Sequence, residues 1–102
     1  MEMLHVTPSR NVPDILREGL VPQIGNNSAA AGEKAPSIYL FRDWDAVETA
    51  LLNWLGEAYE GVPLSILRVS VSKAFLSHEE GSFEYICQTV IPPENIREIL
   101  AE

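Results

Sequence analysis

Short apolar runs alternate with polar breaks along the chain, and the length and period of each run predict an element. Met3-Leu4-His5-Val6 is an apolar run that stops at Thr7-Pro8, as a strand does on meeting a proline, so it predicts a first strand. The stretch from Asn11 to Gly19 predicts a short helix with Asn11 as cap, Pro13 in the first turn and Gly19 as a left-handed stop. Its apolar face is Val12, Ile15 and Leu16. Ser37 to Phe41 predicts a second strand, after which Asp43 or Asp45 caps a helix. In that helix Trp44, Val47, Leu51, Trp54, Leu55 and Ala58 recur at helical spacing, a stripe expected in the core.

Farther on, Leu67, Val69 and Val71 alternate with Arg68, Ser70 and Ser72, which predicts a strand with one wet face. Phe83 to Ile91 predicts another strand. Pro92-Pro93-Glu94-Asn95 then turns the chain into a last short strand, Ile96 to Leu100. Between Val21 and Ser37 there is no apolar period and the segment is rich in Gly, Asn, Ala and Pro. It is expected to be a long loop, of the kind that in a small domain is usually either functional or disordered. The mixture of strands and two helices on a mainly antiparallel plan is an α+β domain.

Length narrows this to one domain spanning residues 1–102, so any cleft must open within a single core. No apolar run approaches the roughly 18 residues of a membrane span, and the first residues lack a basic start followed by an apolar stretch. The lone Cys87 excludes an internal disulfide and fits a reducing compartment, so the expected location is the cytoplasm. Mid-strand and without an evident base, Cys87 reads as structural.

The net charge of −8 is unevenly placed. Residues 1–42 hold four basic residues (Arg10, Arg17, Lys34, Arg42) against four acids, whereas residues 43–102 hold three against eleven. An acidic surface repels phosphate backbones, which argues against passive nucleic-acid binding and leaves the first 42 residues as the part able to accept an anionic ligand. Scattered acids also serve solubility.

Three residues carry the candidate chemistry: His5 in the first strand, Tyr39 in the second and Glu84 at the head of a late strand. A carboxylate opening an otherwise apolar strand, Glu84-Tyr85-Ile86-Cys87, marks either a solvated strand end or a group set to face something positive. The segments around them, "LHVTPSRNVPDILREGL", "SIYLFRDWDAVETAL" and "FEYICQTVIPPENIREIL", resemble in order the three signature segments of the ADP-ribosyltransferase fold. The resemblance is to the branch with a His-Tyr-Glu triad, which includes diphtheria toxin and the poly(ADP-ribose) polymerases.

That resemblance implies a small ADP-ribosyltransferase-like domain of split antiparallel sheets with two helices. It also implies a mono-ADP-ribosyltransferase that moves ADP-ribose from NAD to a macromolecular acceptor, most simply a protein, and releases nicotinamide. Glu84 would stabilise the oxocarbenium-like ribose, bind a ribose hydroxyl and orient the acceptor. His5, supported by Thr7, would hold the adenosine ribose; Tyr39 would stack on the cationic nicotinamide ring; and the backbone at Val6 would clamp the nicotinamide amide. In the polymerases the helix after the tyrosine strand supplies a serine and a second aromatic. The corresponding positions here are Val47 and Ala50, with Thr49 and Trp54 as substitutes.

The 21–37 loop would close over NAD, with Arg10 and Lys34 drawn to the diphosphate by charge alone. Ser82 stands two residues before the glutamate, where arginine-modifying relatives place Gln or Glu, which points away from an arginine acceptor. The acceptor loop would be Ser77 to Ser82, with His78 in it. Related readings on the same fold are NAD hydrolysis and RNA 2′-phosphotransfer; a different class is a non-catalytic binding or inhibitor protein with an acidic surface. A toxin, a phage effector and a module of a larger system all fit a chain of this size.

Overall fold

The computed structural model describes residues 1–23, 36–78 and 81–101. Six strands form one antiparallel sheet: β1 (Glu2–Pro8), β2 (Ile38–Phe41), β3 (Leu64–Ser70), β4 (Leu76–His78), β5 (Glu84–Cys87) and β6 (Ile96–Ala101), in the order β4-β5-β2-β1-β3-β6. Among the described residues three α-helices accompany it: α1 (Val12–Glu18), α2 (Trp44–Leu52) and α3 (Trp54–Ala58). The domain is α+β, as the alternating periods predict.

The sheet's two halves are held together narrowly. β1 and β3 pair along seven consecutive register positions, from Glu2 with Ser70 to Pro8 with Leu64, and β2 and β5 pair along four. Among the described residues β1 and β2 meet at one pair, Leu4 with Phe41.

Each face carries its own apolar cluster. Met3, Leu40, Leu67, Val69 and Cys87 are fully buried on one face, where Val12 and Ile15 of α1 cover them. On the other, Leu4, Val6, Phe41 and Ile66 pack against Ala46, Val47 and Ala50 of α2. Burying a side chain such as Val47 contributes roughly 1.5–3 kcal/mol. β3 therefore has apolar residues on both sides near its start, and the wet face expected of it is confined to Arg68 and Ser70, which are half-buried.

The helix ends meet the sequence expectation at α2 and depart from it at α1. Asp43 does cap α2, its Oδ1 accepting from the Ala46 N–H at 2.9 Å, and this bond, with help from the Arg42 side chain, holds its carboxyl below the usual value. Asn11 makes no side-chain cap for α1, which begins from a 3-10 turn at Ser9–Asn11, and Leu16 is exposed.

The expected single helix over 44–58 is two. Asn53 interrupts it with φ −120° and ψ −115°, while its side-chain amide donates to the Thr49 carbonyl at 2.7 Å. Gly56 permits the break, because a Cβ there would lie 1.9 Å from the Leu51 carbonyl oxygen. The core stripe changes accordingly: Ala46, Val47 and Ala50 are buried, whereas Trp44 and Trp54 are each 42% exposed.

The strand expected over 83–91 spans only Glu84–Cys87; Ile91 instead bridges to Leu20, tying the end of α1 to the approach to β6. Gln23 and Ser37 form a similar antiparallel bridge across the base of the segment between them.

Candidate functional site

The interrupted β1–β2 pairing is what makes room for a site. Past Leu4, a side chain takes over from the ladder: His5 Nδ1 lies 2.9 Å from the Tyr39 carbonyl oxygen. A carbonyl only accepts, so in the neutral ring Nδ1 carries the proton and Nε2 keeps its lone pair. Burial lowers the His5 pKa from its ordinary value, opposed in part by that hydrogen bond, so the ring is neutral at pH 7.

A proton titration by NMR should place the His5 midpoint below 6.5, and the His5→Gln variant identifies its signal against that of His78. Between the folded midpoint and 6.5 the unfolded chain binds the proton and the native chain does not. The stability this group contributes is complete above about pH 6.5, falls as the pH drops through that window and levels off beneath it. A midpoint at or above 6.5 would mean the ring is solvated.

Tyr39 and Glu84 are fixed by the next ladder. Tyr39 opposes Ile86 and Phe41 opposes Glu84, so Tyr39 and Glu84 point to the same face of the β2–β5 pair as diagonal neighbours. The Glu84 N–H donates to Ser82 Oγ at 3.1 Å, which sets how the chain enters β5. Both Tyr39 and Glu84 are half-buried.

His5, Tyr39 and Glu84, from three distant parts of the chain, line one open cleft of about 1130 Å³, together with Val6, Thr7 and Trp54. That volume slightly exceeds the roughly 300–1,000 Å³ usual for small-molecule sites, as suits an open cleft. α1 forms one wall with Asp14 and Glu18, and α3 another with Glu57, continued by Tyr59 just past its end.

The other residues expected at a site fall elsewhere. Thr49 donates its hydroxyl to the Asp45 carbonyl at 2.9 Å, one turn back on its own helix, and is not in the cleft lining. Val47 and Ala50 are buried under the sheet. Arg10 is exposed in the 3-10 turn before α1 and does not line the cleft, and Lys34 lies outside the described residues. The expected acceptor loop is shorter than 77–82, since Ser77 and His78 belong to β4. The His78 ring stacks on Tyr85 at 4.1 Å between centroids, and its Nε2–H donates to the Ser82 carbonyl at 2.7 Å. Cys87 is buried and its thiol contacts the Thr89 carbonyl oxygen at 3.4 Å, a structural placement.

Two features were missed by the sequence reading. Four carboxylates, Asp14, Glu18, Glu57 and Glu84, line the cleft, and among the described residues no Lys or Arg does. Phe83, beside Glu84, meets Trp54 with ring centroids 6.4 Å apart. The adjacency of Phe83 to Glu84 was visible in the sequence, but nothing there paired it with Trp54.

In comparisons with known proteins, no family model, no curated protein and no solved structure matches the chain. No described helix is long and apolar enough to cross a membrane.

Proposed function

We propose that the chain is a mono-ADP-ribosyltransferase, acting in the cytoplasm as a toxin or phage effector, that moves ADP-ribose from NAD to a protein acceptor. The observation supporting this is the convergence of His5, Tyr39 and Glu84 in one cleft on the adjacent strands β1, β2 and β5. In the reaction the bond between the ribose C1′ and the nicotinamide nitrogen breaks, and its electron pair leaves with the ring, discharging the pyridinium. The acceptor's nucleophilic atom forms the new bond to C1′, and its proton passes to solvent. Positive charge develops on the ribose meanwhile, and the Glu84 carboxylate stabilises it. Tyr39 offers a flat face to the cationic ring, and the neutral His5 offers Nε2 as acceptor to a ribose hydroxyl.

Charge fits the two ends of NAD unequally. The acidic lining suits the nicotinamide half. The diphosphate finds no described cation in the cleft, so main-chain and side-chain N–H and hydroxyl donors, Thr7 and Asn11 among them, would have to serve it.

The same acid lining favours a second reading, a non-catalytic module that binds a basic partner in the cleft. Incubating the wild-type chain with NAD labelled in the adenylate, with and without cell lysate, separates the two. Nicotinamide release and label transfer support the enzyme. Intact NAD across several lysates, with no heat of NAD binding by calorimetry, would retire it in favour of the binding module.

A further inference from the structure

The rim of the cleft next to Glu84 carries an aromatic pair that the core does not use. Trp54 stands at the start of α3 and lines the cleft, and Phe83 immediately precedes Glu84 in the turn into β5. Their rings are 6.4 Å apart and inclined by 30°, yet they remain 42% and 50% exposed. A single exposed aromatic is ordinary, but two in contact beside a candidate catalytic carboxylate form a platform. Glu57, three residues after Trp54, and Glu84, next to Phe83, both line the same cleft.

From these features we propose that the Trp54–Phe83 platform docks a basic polypeptide segment and presents it to the cleft beside Glu84. Exposed aromatic faces attract Arg and Lys side chains through the ring quadrupole, by about 0.5–1 kcal/mol at open sites, and the flanking carboxylates act in the same direction. Charge complementarity selects this occupant. Residues 43–102, to which both rings belong, hold eleven acids against three basic residues, and the described cleft lining is free of Lys and Arg. A nucleic acid would be repelled by the same carboxylates, and a purely apolar partner would leave them buried without partners. The proposal rests on the transferase reading only in naming the docked segment the acceptor.

The test measures binding of a fluorescently labelled 15-residue Lys/Arg-rich peptide by anisotropy, without NAD, at low and at physiological salt. Comparisons are a length-matched peptide with citrulline and acetyl-lysine in place of Arg and Lys, and a single-stranded oligonucleotide. The basic peptide should bind at least tenfold more tightly than the neutral one and weaken as salt is added. Phe83→Ser should weaken it about two- to fivefold, Phe83→Tyr should restore it, and Glu57→Gln should weaken it as well.

Equal affinity for the neutral peptide or the oligonucleotide overturns the proposal. So does wild-type affinity in Phe83→Ser, or a Phe83-dependent self-association of the chain seen by sedimentation. Nicotinamide release, followed in parallel with lysate as above, distinguishes the two readings: Phe83-dependent peptide binding with NAD intact across the lysates and unbound by calorimetry upholds the platform and overturns the transferase.

Discussion

Glu84→Gln should lower the rate of nicotinamide release by about 10²–10³-fold, the usual loss when one preorganised electrostatic partner of a transition state is removed. Glutamine keeps the shape of the side chain and can still hydrogen-bond a ribose hydroxyl, so the NAD KM should change by less than about threefold. What it lacks is the charge that opposes the developing positive ribose, and a defect confined to kcat is the signature of such a loss. Ser82 Oγ and the register with Phe41 hold the backbone of Glu84, and neither involves its carboxylate. A melting temperature within a few degrees of the wild type would show that the loss of rate is not a loss of fold. Full activity in the glutamine variant would remove Glu84 from the chemistry.

The largest effect on stability is expected at Gly19. Its φ of +87° is disfavoured for a residue with a side chain, and a Cβ there would lie 2.3 Å from the Ile91 carbonyl oxygen. That oxygen is already committed, accepting from the Leu20 N–H at 2.8 Å while the Ile91 N–H donates to Leu20 at 2.9 Å. Gly19→Ala must therefore force apart the bridge that ties the end of α1 to the approach to β6. Backbone strain and steric conflict together should cost about 2–5 kcal/mol, or at least about 10 °C in melting temperature for a chain of this size.

Gly61→Ala is the internal control. Its φ is +74° with nothing within 4 Å of the added Cβ, so it carries the strain alone and should cost about 1 kcal/mol. Similar losses in both variants would mean that the Gly19–Ile91 approach relaxes freely. Because Gly19 and Leu20 line the cleft, Gly19→Ala should also impair whatever the cleft binds.

Local chemistry was legible in the sequence where one element decides it. Pro13 and Gly19 bracket α1, Asp43 caps α2, and the alternation of Leu67, Val69 and Val71 with Arg68 and Ser70 describes β3. The helix break at Asn53 was hidden because the apolar spacing from Trp44 to Ala58 runs through it unbroken. Only Asn53 and Gly56 signal a change of direction, and each is tolerable within a helix. The shortness of β4 hid it too, since three residues carry no readable period.

The three candidate residues could be picked out singly, and the strand order is what makes them neighbours. By contrast, the acidic lining of the cleft is a property of packing alone: Asp14 and Glu18 come from α1, Glu57 from α3 and Glu84 from β5. The substitution of a histidine side chain for a length of β1–β2 ladder is likewise a tertiary fact, as no local pattern distinguishes His5 from any other strand histidine.

The strand order also governs how such a chain can assemble. β1 finds its long partner in β3, where Glu2 meets Ser70 and Pro8 meets Leu64, and β2 finds its own in β5, some 45 residues on. Among the described residues, consecutive strands pair in two places: the short β4–β5 hairpin, with His78 opposite Tyr85, and the single Leu4–Phe41 pair of β1 and β2. Loop closure over these distances must come before the contacts that reward it, which slows folding toward the millisecond-to-second range of non-local β topologies. On the ribosome β1 emerges well before β3, and most of its length must wait, apolar, for that partner.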